Sequence, residues 1–240
     1  MHTPTKDSAV PERALAIGAH PDDIEFGAGG TLAKWASRGC SVSLLVLTDG
    51  SKGSWEQSAD QRELIAVREE EQRAAASALG AASVLFVREV DGMLRAHTDV
   101  IRRVCAFIRE LKPDVVFGHD PWKRYRIHPD HRAAGWITLD ALVAARDHLF
   151  FPELELAPHR PSRVLLFEPD EVHHVETITT SIDAKIAALL CHRSQWESTM
   201  GIRRDTDEAM ECASFAARVR SRAGSESDVL LENFAEMADI

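Results

Sequence analysis

The stretch Gly18-Ala19-His20-Pro21-Asp22-Asp23-Ile24-Glu25 joins a short apolar run to a glycine-rich segment. The apolar run at 14–17 predicts a buried strand, and the residues that follow the glycines at 27–30 predict a helix. Between them, one short loop holds an imidazole, a proline and two adjacent carboxylates. A histidine and an acid three residues apart, held by a proline, make a plausible half of a metal site.

The order of strand, loop and helix that begins here occurs four times in the first 145 residues. Strands are predicted at 13–18, 41–48, 83–87 and 115–118, and helices at 31–38, 61–79, 100–111 and 131–145. This alternation predicts an α/β fold, a Rossmann-like, doubly wound and mostly parallel sheet with helices on both faces. The last third is less regular, with a strand predicted at 163–167, helices at 182–191 and 205–222, and an apolar, acidic tail from 228.

Length and composition predict one domain over residues 1–240, with a polar tail at 1–12 and a C-terminal elaboration at 196–240. The net charge of −10 argues against nonspecific nucleic-acid binding and anionic-membrane binding, and it favours a soluble protein. No apolar run approaches the roughly 20 residues of a membrane span, and the N-terminus lacks an apolar signal core, so we expect a cytoplasmic protein. The oligomeric state stays open, a homo-oligomer included.

A second cluster, His128-Pro129-Asp130-His131, follows the fourth predicted strand. Ligands in open α/β sheets collect beyond the carboxyl ends of the strands, so this cluster and the His20–Asp23 loop are expected to face one crevice. The four cysteines are scattered and form no CxxC pair, which leaves histidine and carboxylate as metal ligands. Two histidines and one carboxylate form a common catalytic zinc site, which His20 and Asp23 with either His128 or His131 would complete.

Simpler explanations exist for each of these residues. A single loop histidine is more often satisfied by a hydrogen bond, and Asp22, Asp23 and Asp130 can each cap a helix. If His128 and His131 both joined His20 and Asp23, the site would be closed and structural. The pairing of two His/Asp clusters on strand-end loops favours a metal.

Three further segments lie outside these two clusters. The glycines at 27–30 lack the GxGxxG spacing of a dinucleotide loop, so they predict close helix packing or backbone approach to a ligand. His173-His174 is typical of a surface turn. The loop at 120–126 carries three cations and two aromatics, and its candidate substrate contacts are Trp122, Arg124 and Tyr125. The alternative for this loop is a solvated surface whose cations pair with local acids.

The segment Ala19-His20-Pro21-Asp22-Asp23, together with His128-Pro129-Asp130-His131-Arg132, resembles the PIG-L/LmbE family of zinc-dependent de-N-acetylases. The similarity spans about residues 15–195. It includes Thr48-Asp49-Gly50, Arg68-Glu69-Glu70-Glu71, Asp91-Gly92 and His192-Arg193-Ser194-Gln195. The two metal motifs together are specific, whereas the other matches are weak alone.

The resemblance implies an LmbE-like fold and a role for each motif residue. It implies that His20, Asp23 and His131 hold Zn2+, with another divalent metal such as Fe2+ as the alternative. It implies that Asp22 is the general base on the metal-activated water and that a protonated His128 assists the oxyanion or the leaving amine. Arg68 and Asp91 fall where the family has polar residues that contact the substrate.

The predicted function is therefore that of a zinc-dependent amide hydrolase. Its expected substrate is an N-acetylated amino sugar, such as N-acetylglucosamine, or a conjugate of one. One alternative is an amidase that cleaves another amide, such as a thiol–sugar conjugate. The alternative from another class is a non-catalytic relative that only binds metal or sugar.

Overall fold

One mixed sheet organises the chain in the computed structural model, which describes residues 3–203, 206–226 and 228–240. Within these ranges the strands are β1 (Thr5–Lys6), β2 (Arg13–Gly18), β3 (Ser41–Thr48), β4 (Ser83–Glu89), β5 (Val115–His119), β6 (Arg163–Phe167), β7 (His174–Thr177), β8 (Gly224–Glu226) and β9 (Val229–Ala238). The strand order is β1-β7-β9-β6-β5-β2-β3-β4, with β8 paired to β9. The four strand pairs β2–β3, β2–β5, β3–β4 and β5–β6 are all parallel, as predicted.

Helices cover both faces of the sheet. They are α1 (Asp23–Ala36), α2 (Gln61–Leu79), α3 (Thr98–Leu111), α4 (Pro129–Arg146), α5 (Ile182–Cys191) and α6 (Glu208–Arg222), with short helical turns at Pro152–Leu154, Arg193–Gln195 and Trp196–Met200. Alternation along β2 explains the two cores: Leu15 and Ile17 pack with α3 and α4, while Ala14 and Ala16 pack with α1 and α2. The doubly wound fold is therefore confirmed.

The C-terminal tail and the N-terminal tail both join the sheet. β9 lies between β6 and β7 and runs antiparallel to both, with Phe167 and His174 each opposite Phe234. Thr5–Lys6 pairs with His174–Val175. The interpretation of His173-His174 as a surface turn is wrong for His174, which is buried in β7 and lies 2.9 Å from the Glu176 carboxylate.

Helix α1 begins eight residues before the predicted start, directly after Asp22. Its glycines are packing positions, because a Cβ at Gly27 would lie 2.5 Å from the Phe167 ring. A Cβ at Gly30 would lie 2.8 Å from Ile178. The close approach of α1 to the sheet therefore overrides the low helix propensity of glycine, and it fixes where Asp22 and Asp23 lie.

We expect Gly27→Ala to destabilise the fold by about 1–3 kcal/mol, because the new methyl group must displace a buried ring. The matched control is Gly29→Ala, whose Cβ would lie 3.2 Å from Lys185 Cγ and 3.8 Å from Leu79 Cδ2, without any contact as short as that at Gly27. Since alanine favours a helix interior by about 1 kcal/mol over glycine, the control should be neutral or slightly stabilising. Denaturant unfolding measures both, and equal free energies of unfolding for the two variants would contradict the packing argument.

Among the helices of the described ranges, none has the length and apolar character needed to cross a membrane.

Candidate metal centre

Three side chains from three elements converge at the carboxyl edge of the sheet. His20 follows β2, Asp23 is the first residue of α1, and His131 lies in the first turn of α4. His20 Nδ1 lies 3.2 Å from His131 Nε2 and 3.3 Å from Asp23 Oδ2, and Asp23 Oδ1 lies 3.2 Å from His131 Nε2. β2 and β5 are neighbours in the sheet, which is why the two predicted clusters meet.

The chemistry of this donor set fits a divalent cation. Ligands at zinc distances of 2.0–2.2 Å are about 3.4 Å apart in a tetrahedron, close to the separations here. Two imidazole nitrogens at 3.2 Å repel each other unless a cation or a proton lies between them. The His131 side chain is 24% exposed, so one side of the group is open to solvent. These three residues can therefore hold a metal and leave a position for water.

Two carboxylates orient His20. Its Nε2 lies 3.2 Å from Asp130 Oδ2 and 3.2 Å from Asp91 Oδ1, so Nε2–H is donated to them and Nδ1 is the nitrogen that faces His131. Metal-binding histidines typically donate their other nitrogen to a carboxylate in this way. Burial disfavours a charged His20, but the hydrogen bonds to Asp130, Asp23 and Asp91 outweigh it and raise its pKa well above the usual value. The surroundings of His20 therefore attract positive charge.

Asp130 is not a helix cap. Its carboxylate accepts the backbone N–H groups of Gly92 at 2.6 Å and Leu94 at 3.2 Å, in addition to its contact with His20. The N-cap of α4 is His128, whose Nδ1 accepts from the Asp130 amide at 3.3 Å. The capping interpretation of Asp130 is therefore wrong, because its carboxylate joins the loop after β4 to His20.

Asp22 occupies the N-cap position of α1 without a side-chain capping bond, in a left-handed conformation with φ of 106°. Its amide donates to Gln72 Oε1 at 3.1 Å, and Arg68 Nη2 lies 3.8 Å from its carboxylate. Burial raises the pKa of Asp22 to about 6, against the opposing charge of Arg68 and with the help of the Asp23 charge. A buried carboxylate with such a pKa, beside the converging donors, can accept a proton near neutral pH.

His128 lies against the two histidines, with its ring centroid 4.6 Å from His20 and 4.9 Å from His131. Burial and the neighbouring His20 and His131 lower its pKa. The surroundings thus disfavour the protonated imidazole that the family resemblance implies. Because Nδ1 accepts from Asp130, a neutral His128 carries its proton on Nε2.

The polar residues expected to contact substrate already have protein partners. Arg68 donates to the backbone oxygens of Gly50 at 2.9 Å and Pro21 at 2.7 Å. Asp91 accepts the Lys52 amide at 3.0 Å in addition to its contact with His20. Arg68 therefore joins the loops after β2 and β3, and Asp91 joins the loop after β3 to His20.

The side chains of the aromatic and basic loop at 120–126 lie in different surroundings. Trp122 packs edge-on against Trp136 at 5.2 Å, and it borders one cavity of about 430 Å³ and, with Arg124, a second of about 310 Å³. The described residues that line these two cavities do not include the converging residues His20, Asp23 and His131. Tyr125 is 90% exposed. The structure thus does not bring Trp122 into the converging group, and it leaves Tyr125 at the surface.

Two residues of the site were not predicted from the sequence motifs. His119 had no predicted role, and Arg126 was only one of the three cations of the loop at 120–126. His119 ends β5, is buried, stacks on His131 at 4.4 Å and lies 3.2 Å from Asp23 Oδ2 through its Nε2. Burial lowers the pKa of His119 to about 4, so its ring is neutral. The available signal was a histidine directly after the strand predicted at 115–118, in the segment that leads to His128.

Comparison with known proteins adds three matches. A family model described as GlcNAc-PI de-N-acetylase (PIG-L) matches residues 15–142. A diacetylchitobiose deacetylase of Thermococcus kodakarensis is 31% identical over 191 residues, which is 77% of this chain and 70% of the relative. The crystal structure of N,N'-diacetylchitobiose deacetylase from Pyrococcus horikoshii superposes with a TM-score of 0.84 at 27% identity, over 95% of this chain and 84% of that one.

A relative with a different activity is also similar. The 4-oxalmesaconate hydratase of Pseudomonas putida is 30% identical over 212 residues, which is 82% of this chain and 78% of the relative. Deacetylation and hydration are both reactions that consume a molecule of water.

Proposed function

Since the chain belongs to the PIG-L family of de-N-acetylases, we propose that it is a metal-dependent hydrolase that removes the acetyl group from an N-acetylated amino sugar. The observation that carries the proposal is the convergence of His20, Asp23 and His131 within 3.3 Å of one another, beside the buried Asp22. The diacetylchitobiose deacetylases support a glycosidic N-acetylglucosamine as the substrate class.

In this proposal His20 Nδ1, His131 Nε2 and one oxygen of Asp23 would hold Zn2+. When bound, Zn2+ lowers the pKa of water to about 7 and polarises a carbonyl group. The nitrogen and carboxylate donors suit zinc, and Fe2+ is accommodated by the same set. Asp91 and Asp130 keep His20 in the orientation that presents Nδ1.

The proton transfers are assigned to Asp22 and His128. Water adds to the acetyl carbon while its proton passes to the Asp22 carboxylate, whose pKa of about 6 suits a base at neutral pH. Neutral His128 donates its Nε2 proton in a hydrogen bond to the carbonyl oxygen as negative charge develops there. The carbon–nitrogen bond then breaks, the amine nitrogen takes up the proton from Asp22, and acetate and the free amino sugar leave.

The protein reconstituted with Zn2+ is expected to release one acetate for each free amine formed from N,N'-diacetylchitobiose. The measurement is enzymatic quantification of acetate together with fluorescamine detection of the amine. N-Acetylglucosamine and the amide of a thiol–sugar conjugate complete the panel and separate sugar deacetylation from cleavage of another amide. Binding of these sugars without any acetate release would support a non-catalytic relative and contradict the proposal.

The hydratase is the second candidate, because a relative with that activity covers most of the chain. Hydration of 4-oxalmesaconate consumes a carbon–carbon double bond and forms no acetate. Loss of ultraviolet absorbance from that compound, without activity on any N-acetyl sugar, would favour the hydratase.

A further inference from the structure

A chain of polar side chains leads from Glu168 through Arg126 and His119 to Asp23. Glu168 follows β6, and its Oε2 accepts from Arg126 Nη1 at 2.9 Å. The same Nη1 lies 3.1 Å from His119 Nδ1. His119 Nε2 in turn lies 3.2 Å from Asp23 Oδ2. The Arg126 and His119 side chains are 4% and 2% exposed, so water competes little for these contacts.

The guanidinium fixes where His119 carries its proton. Arginine has only N–H donors, so His119 Nδ1 must be the acceptor in their contact. A neutral imidazole has one proton, which must then lie on Nε2 and point at Asp23 Oδ2. The Ala19 N–H also points at Nε2, at 3.4 Å, and would need a lone pair there, which the other tautomer supplies. The contacts with Arg126 and Asp23 are shorter, at 3.1 and 3.2 Å, and involve charged groups, so they decide the tautomer. Arg126 therefore makes His119 a donor toward Asp23.

This donation decides which oxygen of Asp23 is available. Oδ2 accepts the His20 amide at 2.7 Å and the His119 ring at 3.2 Å. Oδ2 also lies 3.3 Å from His20 Nδ1, but these two donors already occupy it. Oδ1 lies 3.2 Å from His131 Nε2 and accepts no backbone N–H among the described residues, so it is the freer oxygen. With the proton on Nδ1, His119 would present a lone pair to Oδ2, and the carboxylate would be repelled from its present orientation.

We propose that Arg126 is a positioning residue of the metal centre, which sets the Nε2–H tautomer of His119 and thereby turns Asp23 Oδ1 toward the metal. Glu168 holds the guanidinium in place, and Arg132 holds the loop through the Ile127 carbonyl at 2.9 Å. The inference rests on the metal site of the proposed function and adds to it a residue from the basic loop. It gives Arg126 a role inside the protein, distinct from any contact with substrate.

The test compares Zn2+ affinity among three variants of the full chain by competition with a chromophoric chelator. Arg126→Met keeps the length of the side chain but removes the donor, and we expect about 10–100-fold weaker Zn2+ binding, the usual loss when a partner of a ligand is removed. Arg126→Lys retains a donor and should recover part of this loss. Arg124→Met, an exposed cation of the same loop, is the matched control and should bind Zn2+ like the wild type.

A second readout is independent of the metal. Two-bond proton–nitrogen NMR correlations of the metal-free protein report the His119 tautomer. We expect the Nε2–H form in the wild type and in Arg124→Met, and an increased Nδ1–H population in Arg126→Met. If Arg126→Met does not fold, Glu168→Gln loosens the same guanidinium without removing it and should weaken Zn2+ binding by a smaller factor.

Two results would overturn the inference: Zn2+ affinity of folded Arg126→Met within twofold of the wild type, or an Nδ1–H tautomer of His119 in the wild type. Failure of the wild type to bind Zn2+ would instead contradict the proposed function. In that case the tautomer of His119 still decides the role of Arg126.

Discussion

Asp22→Asn is expected to lower the turnover of acetate release by about 10²–10⁴-fold, the range that general acid–base assistance contributes. The amide of asparagine cannot accept the proton of the attacking water. The proposed ligands His20, Asp23 and His131 are untouched, so the variant should keep one metal per chain. A loss of turnover with an unchanged metal content separates the base from the ligands.

The structure makes this substitution a mild one for the fold. Asp22 has a φ of 106°, and asparagine is among the few residues that adopt the left-handed region readily. The N–H of residue 22 that donates to Gln72 Oε1 belongs to the backbone, so the substitution retains this hydrogen bond. Loss of activity through misfolding is therefore not expected.

The pKa of Asp22 predicts the direction of the stability change. Its value of about 6 in the folded chain exceeds the usual aspartate value of 3.8, so the folded state binds the proton more tightly than the unfolded state. The fold therefore loses stability as pH rises between these two values, because a buried charge must form. Metal-free Asp22→Asn carries no such charge and should unfold at an equal or higher temperature than the metal-free wild type at pH 7.

The turnover number of metal-loaded Asp22→Asn, with metal content from plasma mass spectrometry, checks the assignment. Glu12→Gln, which changes an exposed carboxylate outside the site, is the matched control and should retain full turnover. Turnover of Asp22→Asn within threefold of the wild type would show that another group accepts the proton.

Removal of the metal should abolish acetate release, and addition of Zn2+ should restore it. Without the cation nothing polarises the acetyl carbonyl or lowers the pKa of water. The metal-free protein should also unfold at a lower temperature, because a ligand that binds only the folded state stabilises it by about 4 kcal/mol at 1,000 times its Kd. His131→Ala should reproduce both effects, and added Zn2+ should not rescue it.

His148→Ala is the matched control for His131→Ala, since His148 is an exposed histidine just beyond the end of α4. Its activity and its midpoint of thermal unfolding should equal those of the wild type, with and without Zn2+. Full acetate release in the presence of a chelator, from protein shown to be metal-free, would remove the metal from the mechanism.

The fold could be predicted where apolar runs are unambiguous. Strands β2, β3 and β6 begin and end at the predicted residues, because short apolar runs between polar turns are buried on both faces of a parallel sheet. The start of α1 could not be predicted, since Asp22 precedes the helix and its first turns contain Asp23 and three glycines. Gly27 and Gly30 are helical because the helix lies directly on Phe167 and Ile178, a tertiary contact that local propensity does not contain.

The same limit applies to the site. Two motifs on strand-end loops predicted that His20 and His131 would share a crevice, and adjacent strands β2 and β5 bring them together. The partners of those residues come from across the chain: Asp130 contacts Gly92, and Arg126 contacts Glu168. The basic residues of the loop predicted a surface that contacts substrate. In the structure Arg126 is buried and donates hydrogen bonds within the protein. Such pairs depend on which loops the strand order brings together, and local sequence does not contain that information.

The division of labour between Asp22 and Asp23 is the central claim, and anomalous diffraction from a crystal of the Zn2+-loaded protein tests it most directly. A difference map at the zinc edge should show one peak within bonding distance of His20 Nδ1, Asp23 and His131 Nε2, with the Asp22 carboxylate outside bonding distance. A peak bonded to Asp22, or one held by His20, Asp91 and Asp130 instead, would contradict the account.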